Sequence, residues 1–576
     1  MQGLLQENKK EFIRDIVAIA GLLLLPLFLY LPSFHFNFLF QWDDRIFFVS
    51  NPKLDLTLSN LIYYFTNPFQ DLYTPLTMYS LMVDKALFGI DPLPCRIHNF
   101  LLHFLGSLFF YLTLRKYFKI PLLIAFFSVL LWAVHPQKVE SVAWIAERKD
   151  VLSGALFFAS YYFFLGSMKA KRVPILSSIL AILAIMAKPS AIPLPGVMIV
   201  TYFAFYGKKG WNKEALKILF LPLFATLSLI LYSSFVTAKT NPGVLETNIL
   251  VPLHNIFWYP LRSILPTTHP FYPPLYLSEQ LFGVVPLGVG MAILLLLGMI
   301  HCGWGKRKIL ASFLIIGGLM VPVLGLLKYT NFHYCDRYNY LVSAGVFTVI
   351  AMLGKSLAGK SPKNIRLITG LLAIGTIIFS VQTLYTIPHW KDSKTLFSVA
   401  LNDTRPSNEQ FYTNGAFTAI VNDDSAMLRK IAEKMEKDHK IYGKNSEKIR
   451  IRAKTYFLQS CIMKGDYAKA HPYYRELDKL IKKGVDLQLD SEYAKIFFRN
   501  MGMAAAVYRE NKTALLYLEK YFTLQKTPSL IYYMTLALKA QLLHDGKLLE
   551  EALVNLVRLC PERDEYKKAL ENLRRK

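Results

Sequence analysis

The sequence predicts an all-α protein: a polytopic membrane helical bundle of about eleven spans, followed by a soluble α-solenoid. Three observations predict it. The 576 residues are 53% hydrophobic with a mean hydropathy of +0.31, too apolar for a soluble chain of this size. Apolar segments close to the ~20 residues that a bilayer crossing needs recur from the N-terminus to residue 386. After His389–Trp390 they stop, and amphipathic helix–turn–helix patterns replace them. The expected division is a membrane domain over 1–389 and a helical repeat domain over 390–576.

The first element carries Lys9, Lys10 and Arg14 ahead of an apolar run from Ile16 to Leu31. No small-residue cleavage pattern follows, and residues 34–40 stay bulky, so it reads as an uncleaved signal-anchor helix. That span is centred on 14–34, and the others on 97–115, 120–135, 151–167, 173–188, 191–206, 215–237, 280–300, 309–328, 340–354 and 367–386. The 173–206 stretch is broken by Lys188, Pro189 and Pro193 and reads as two crossings, while 340–354 is the weakest candidate because it is short. Lysine and arginine collect in alternate loops, at Arg115 to Lys119, Lys169 to Arg172, Lys208 to Lys217, Lys306 to Lys308 and Lys355 to Arg366. With eleven spans these loops and the N-terminus share one side, the cytoplasmic one by the positive-inside rule, and the C-terminal domain falls on the other. Loops facing anionic headgroups account for much of the net charge of +26 and leave nucleic acid without support as a partner. The five cysteines are scattered, with no CxxC or Cys/His ligand spacing, so neither a disulfide framework nor a zinc site is indicated.

The opposite loops are rich in ionisable and aromatic residues. FQWDDRIFFVSNP holds Asp43 and Asp44 just after the first span, and HPQKVESVAWIAERKD holds His135, Glu140, Arg148 and Lys149. AKPS holds Lys188, THPFYPPLY is Pro- and Tyr-rich, and NFHYCDRYNY holds Asp336 and Arg337. Charges at membrane depth are costly and are usually paired or functional. Acids and cations gathered on one face suit group transfer from an anionic donor. A carboxylate takes the proton of an acceptor hydroxyl, and Arg or Lys holds a phosphate as charge develops on it. Each residue also has a plainer role: helix capping for the Asp43–Asp44 pair, snorkelling for Arg148 and Lys149, and a structural ion pair for Lys188 and Arg337. Glu140 is open between a second acid, a partner for a cation, and a ligand to a divalent cation with Asp44; no spacing enforces a metal site. Serine-nucleophile, P-loop and dinucleotide fingerprints are absent, so hydride transfer and ATP-driven chemistry have no support.

These motifs occur in a fixed order with HN at His98–Asn99 and HWKDSKTLF from His389. In that order the chain resembles the transmembrane and tetratricopeptide-repeat O-mannosyltransferase family, in its bacterial branch, among the C-type integral-membrane glycosyltransferases. The resemblance implies a sugar moved from a polyprenyl-phosphate donor to an acceptor hydroxyl on the non-cytoplasmic face of the bacterial inner membrane. It implies a base in the first outer loop, which maps to the Asp43–Asp44 pair with Asp43 favoured. His135, Glu140, Arg148, Lys149, Lys188 and Arg337 are then the candidates for holding lipid phosphate or sugar. A single displacement predicts inversion at the anomeric carbon. Cys335 before the DRY triplet and Val342–Ser343 after Leu341 depart from the family pattern without touching an ionisable residue.

In the C-terminal part, Gly465, Asp466, Tyr467 and Ala470 match the turn of a tetratricopeptide helix pair. Ala470, Ala514 and Ala552 stand 44 and 38 residues apart, so the repeats are expected to be degenerate. Such pairs bury a shared core by stacking and leave a concave face suited to extended peptide. The acceptor is therefore expected to be a protein Ser or Thr presented by the repeats. The rivals are transfer to a lipid or envelope glycan, and a non-enzymatic membrane scaffold.

Overall fold

A computed structural model describes the chain except for residues 1, 208–211, 239–243, 246–248, 269–278, 329–332, 360, 404–408, 484–490, 526–527, 561–563 and 576. Most of the expected THPFYPPLY loop and Asn331–Phe332 lie outside the described residues. The chain forms two compact units, Met1–Asn408 and Glu409–Lys576. The expected boundary at 389/390 lies inside the first unit. Trp390 stacks on Trp144, and the Asn37 and Gln41 amides bond to the Lys391 carbonyl and the Ser393 hydroxyl, so the residues after His389 are held by the first loop.

Among the described residues the first unit is helical apart from one two-residue antiparallel pair, Val244–Leu245 with Leu327–Lys328, and an isolated bridge between Phe69 and Leu72. Its helices are α1 (Gln2–Tyr30), α2 (Leu58–Thr66), α3 (Pro75–Phe88), α4 (Pro92–Lys116), α5 (Leu122–Ala133), α6 (Val139–Ala143), α7 (Arg148–Ala170) and α8 (Ile175–Ala187). They continue as α9 (Leu194–Tyr206), α10 (Lys213–Thr237), α11 (Leu250–Ile264), α12 (Glu279–His301), α13 (Lys306–Met320), α14 (Asn339–Ala358), α15 (Pro362–Thr386) and α16 (Ser393–Leu401). Every one of the eleven apolar segments is helical, but among the described residues only eight helices are long and apolar enough to cross a membrane. A ninth arises if α5 and the segment Pro136–Ala143, bent by 52°, count as one span. The expected count of eleven is not reached because α8 has 13 residues and α13 has 15. At 1.5 Å per residue each falls well short of the ~30 Å hydrocarbon core. Helix α8 stops at Lys188, because Pro189 disfavours a helical residue before it. The segment expected to be weakest is instead a 23-residue span, Asp336–Ala358. Its first turns carry Asn339, Tyr340 and Ser343, which depress hydropathy but are buried against protein.

Large apolar side chains on the outer faces of α1, α10, α12 and α15, among them Phe28, Phe224, Leu294 and Ile377, are exposed. Without a bilayer such faces would be unstable in water, so they mark a multi-pass membrane protein. Polar anchors fix the interior. Asp91 caps α4 by accepting from the Leu93 amide, and α4 ends on Arg115, which is paired with Asp15 of α1. Helices α7 and α14 approach closely where Gly154 faces Tyr340, and a Cβ at Gly154 would overlap that ring.

The second unit consists of four helical hairpins and a final helix, continuing as α17 (Glu409–Val421) with α18 (Ser425–Asp438), α19 (Ser446–Met463) with α20 (Tyr467–Lys482), α21 (Ser491–Val507) with α22 (Asn511–Leu524), α23 (Leu530–Leu543) with α24 (Gly546–Leu559), and α25 (Asp564–Arg574). Each hairpin turns through one left-handed residue, at Asp423, Gly465, Arg509 and His544, followed by an acid. Asp424, Asp466 and Asp545 cap the second helix by accepting from the amides of Met427, Lys469 and Leu548. Ala470 and Ala514 occupy the same place after their turns and share one core with Tyr474, Phe497 and Met501. Ala552 lies about one helical turn further along its helix than that place, which Leu549 takes. The last hairpin therefore departs from the two before it in the register of its alanine.

Gly154→Ala should destabilise the bundle by about 1–3 kcal/mol through overpacking against Tyr340. Gly196→Ala, which opens into free space, should leave the thermal unfolding midpoint in detergent near wild type.

Candidate active site

The site is assembled at the end of the bundle where α1 finishes and α7 and α14 begin. Asp44 is fully buried and accepts from two backbone amides, Leu39 at 2.9 Å and Ala146 at 3.0 Å. Arg96 binds the carbonyls of Phe36, Asn37 and Ala143. Together they fasten the loop after α1 to the turn before α7. Burial raises the Asp44 carboxyl to about 6, opposed by the Leu39 amide, Arg96 and the Ala146 amide and reinforced by Asp43. Asp44 is thus consumed as a cross-link.

Asp43 stands one residue earlier, half-buried, and its carboxylate has no hydrogen bond or ion pair among the described residues. Burial raises its pKa above the ordinary 3.8; Lys149 lowers it, Glu147 raises it and Arg337 lowers it. These charges form the group that Asp43 faces. Glu147 is at its centre: Lys149 Nζ is 3.2 Å and Arg337 Nε 3.4 Å from its Oε1, and Lys188 Nζ is 3.1 Å from its Oε2. Lys188 is also 2.6 Å from Asp150 Oδ1, whose other oxygen accepts from Ser141. Glu140 binds Arg337 through both its backbone amide and its guanidinium. All of these side chains except Asp43 are about nine-tenths or more buried. Burial pulls the Lys188 ammonium down, but Asp150 and Glu147 outweigh it and hold the group above its usual pKa. With Asp43 included, four carboxylates face three cations, so the group carries a net charge of minus one when all are ionised.

Aromatic rings wall this group. Trp144 lies between Trp42 and Trp390 and also 5.7 Å from the Arg337 guanidinium, while Phe47 lies 4.5 Å from Lys149 Nζ. Beneath it, Lys138 donates to the Asn339 carbonyl and the Ser343 hydroxyl, and His103 bonds the Tyr340 hydroxyl at 2.8 Å.

The structure brings together Asp43, Glu140, Lys149, Lys188 and Arg337 from the residues singled out by sequence. It does not bring Arg148 or His135 to them. Arg148 turns the other way, 2.6 Å from Asp84 and bonded to Asn99 and the Cys95 carbonyl, and Asp84 in turn pairs with His98. His135 is fully buried, accepting from the Gln137 amide at 3.2 Å and lying 3.3 Å from the Ser263 carbonyl, which makes it a cap at the bend after α5. Asp336 accepts from Gln137 at 2.6 Å. Neither Glu147 nor Asp150 is among the residues singled out by sequence. Their i,i+3 spacing at the start of α7, which puts them on one face, was the available signal. Among the described residues no three His, Cys, Asp or Glu side chains group as metal ligands, and Glu140, Glu147 and Asp150 are each engaged by a cation or hydroxyl, so the donor set does not fit a divalent ion.

Fold and site together define a class: a multi-span helical membrane protein with a buried ionic centre at one end of its bundle. No protein-family model matches the chain. A stretch of 89 residues is 36% identical to Protein O-mannosyl-transferase TMTC1 of Mus musculus, covering 16% of this chain and 9% of that protein. A stretch of 140 residues is 34% identical to Protein O-mannosyl-transferase TMTC1 of Homo sapiens, covering 22% of this chain and 16% of that protein. The chain therefore spans less than a fifth of the length of the curated relatives it matches.

Glu147→Gln would leave three buried cations short of their shared carboxylate, a change that costs about 3–5 kcal/mol for buried pairs. It should lower the unfolding midpoint in detergent. Lys171→Gln, which breaks an exposed pair with Glu214, should change stability by less than ~1 kcal/mol.

Proposed function

We propose that the protein is an inverting glycosyltransferase that moves a sugar from a polyprenyl-phosphate donor to an acceptor hydroxyl. The observation that carries this reading is the Asp43 carboxylate, half-buried, with no hydrogen bond or ion pair among the described residues, and facing cations that Glu147 holds in place. Asp43 takes the proton of the acceptor hydroxyl as the acceptor oxygen bonds to the anomeric carbon. The bond from that carbon to the phosphate oxygen breaks, and the electron pair leaves with the lipid phosphate. Lys149, whose only carboxylate partner among the described residues is Glu147, is the first choice to meet that phosphate, with Lys188 and Arg337 beside it. Pre-positioned cations stabilise the leaving phosphate without reorganising, which is where such a site gains rate. One displacement with one base inverts the configuration.

The partial likeness to proteins named O-mannosyl-transferases supports a sugar donor and a hydroxyl acceptor. We take the acceptor to be a protein Ser or Thr, the C-terminal hairpins to be degenerate tetratricopeptide repeats that present it, and the site to face away from the cytoplasm across a bacterial inner membrane. The capped hairpins with a shared alanine-rich core favour a peptide over a glycan, because stacked pairs of this kind form extended peptide-binding faces.

The test is transfer from labelled polyprenyl-phosphate hexose in proteoliposomes. Asp43→Asn should reduce turnover by at least a hundredfold, in the range of general-base catalysis, while retaining the fold; unchanged turnover rejects the assignment. The base must be ionised, so kcat/KM should rise with pH through the Asp43 pKa, with its acid limb above 3.8. Burial sets that direction.

A further inference from the structure

A cavity of about 490 Å³ lies between α4, α7, α9, α13 and α14 and reaches the opposite end of the bundle at Lys355. Its volume falls within the ~300–1,000 Å³ typical of small-ligand sites. The lining is apolar for most of its length, with Phe157, Phe158 and Leu341 among its walls. Along α14 it runs from Leu341 to Lys355, roughly 21 Å at 1.5 Å per residue. That is a long, narrow space suited to a hydrocarbon chain.

The mouth has a different character. It is lined by Lys119, Lys308 and Lys355, and no acid lines the cavity. The three lysines come from three separate basic segments that the sequence explains by topology alone. Among the described residues none of them has a carboxylate partner. Lys355 donates to the Phe118 carbonyl at 2.8 Å, and Lys308 Nζ lies 3.6 Å from the Trp304 ring centroid. Lys119 sits in a left-handed turn at φ +54°, a conformation disfavoured for a lysine. Like charges brought together without acids repel, and an anion at the mouth would relieve this. The arrangement contrasts with the ionic centre at the other end, where each cation already has a carboxylate.

The geometry points to a binding site for an anionic phospholipid, with its phosphate among Lys119, Lys308 and Lys355 and one acyl chain in the cavity. A free phosphate would satisfy the lysines but leave the apolar space unfilled. A zwitterionic lipid would fill the space but carry a compensating cation to the lysines. This inference does not depend on the proposed transferase activity.

Native mass spectrometry of the full-length protein in neutral detergent tests it, with phosphatidylglycerol and phosphatidylcholine of the same chain length as probes. Wild type should retain phosphatidylglycerol at least tenfold better than phosphatidylcholine, and excess inorganic phosphate should not displace it. Combined Lys119→Gln, Lys308→Gln and Lys355→Gln should abolish that preference. Lys363→Gln with Arg366→Gln, in the neighbouring basic segment outside the cavity, should preserve it. Thr348→Phe, which fills the cavity without altering its charge, should lower retention of phosphatidylglycerol at least tenfold, with circular dichroism confirming the fold. Equal retention of the two lipids by wild type, displacement by phosphate, or unchanged phosphatidylglycerol binding in either cavity variant would overturn the site.

Discussion

The site depends on one constraint: Glu147 cannot be buried as an anion unless cations from distant segments reach it. Its carboxylate receives Lys149 from its own helix, Lys188 from the break after α8, and Arg337 from the turn before α14. An isolated buried carboxylate would lose several kcal/mol of hydration, a penalty offset only by close, well-shared partners. The same condition applies to Lys188, which would be unstable at that depth without Asp150. Three segments far apart in sequence are therefore drawn to one point. Glu140 then fixes the direction of Arg337, and Asp44 with Arg96 fastens the first loop beside the group. Asp43 is left as the carboxylate without a hydrogen-bonded or ionic partner among the described residues.

The bundle is polarised along its length. Helices α7 and α14 both begin at the ionic centre and end among basic residues, at Lys169 and Lys355. The ionic centre pairs Lys149, Lys188 and Arg337 with carboxylates, whereas among the described residues Lys119, Lys308 and Lys355 at the other end have none. Paired charge can be buried, so the first end holds a compact group beneath tryptophan rings. Unpaired charge must stay near water or headgroups, so the second end forms an open basic rim over an apolar cavity.

Much of this was legible in the sequence, and the misses have physical causes. All eleven apolar segments are helices, since hydropathy reports burial in any apolar medium. It does not report helix length, so α8 and α13 read as crossings although each is shorter than the ~30 Å hydrocarbon core. The Asp43–Asp44 pair was visible, but the fixing of Asp44 was not, because the amides of Leu39 and Ala146 that occupy it are set by tertiary contact. Arg148 and Lys149 looked equivalent as neighbours. A helix turns ~100° per residue, and Asp84 and Asn99 take Arg148 to the other side. Glu147 was hidden for the opposite reason: its role comes from Lys188 and Arg337, which are remote in sequence. In the second unit the turns were legible through Gly465 and Asp466, whereas the last hairpin is placed by the left-handed His544, a residue type that carries little turn signal.

The most direct test of the account is a double-mutant cycle between Glu147 and Lys188, read as unfolding free energy in detergent for Glu147→Gln, Lys188→Gln and the pair. Shared burial predicts strong non-additivity: each single change is severe, and the second adds little, with a coupling of at least ~1 kcal/mol. Effects that add within ~0.5 kcal/mol would show that the two side chains do not stabilise each other, and the ionic centre described here would not exist.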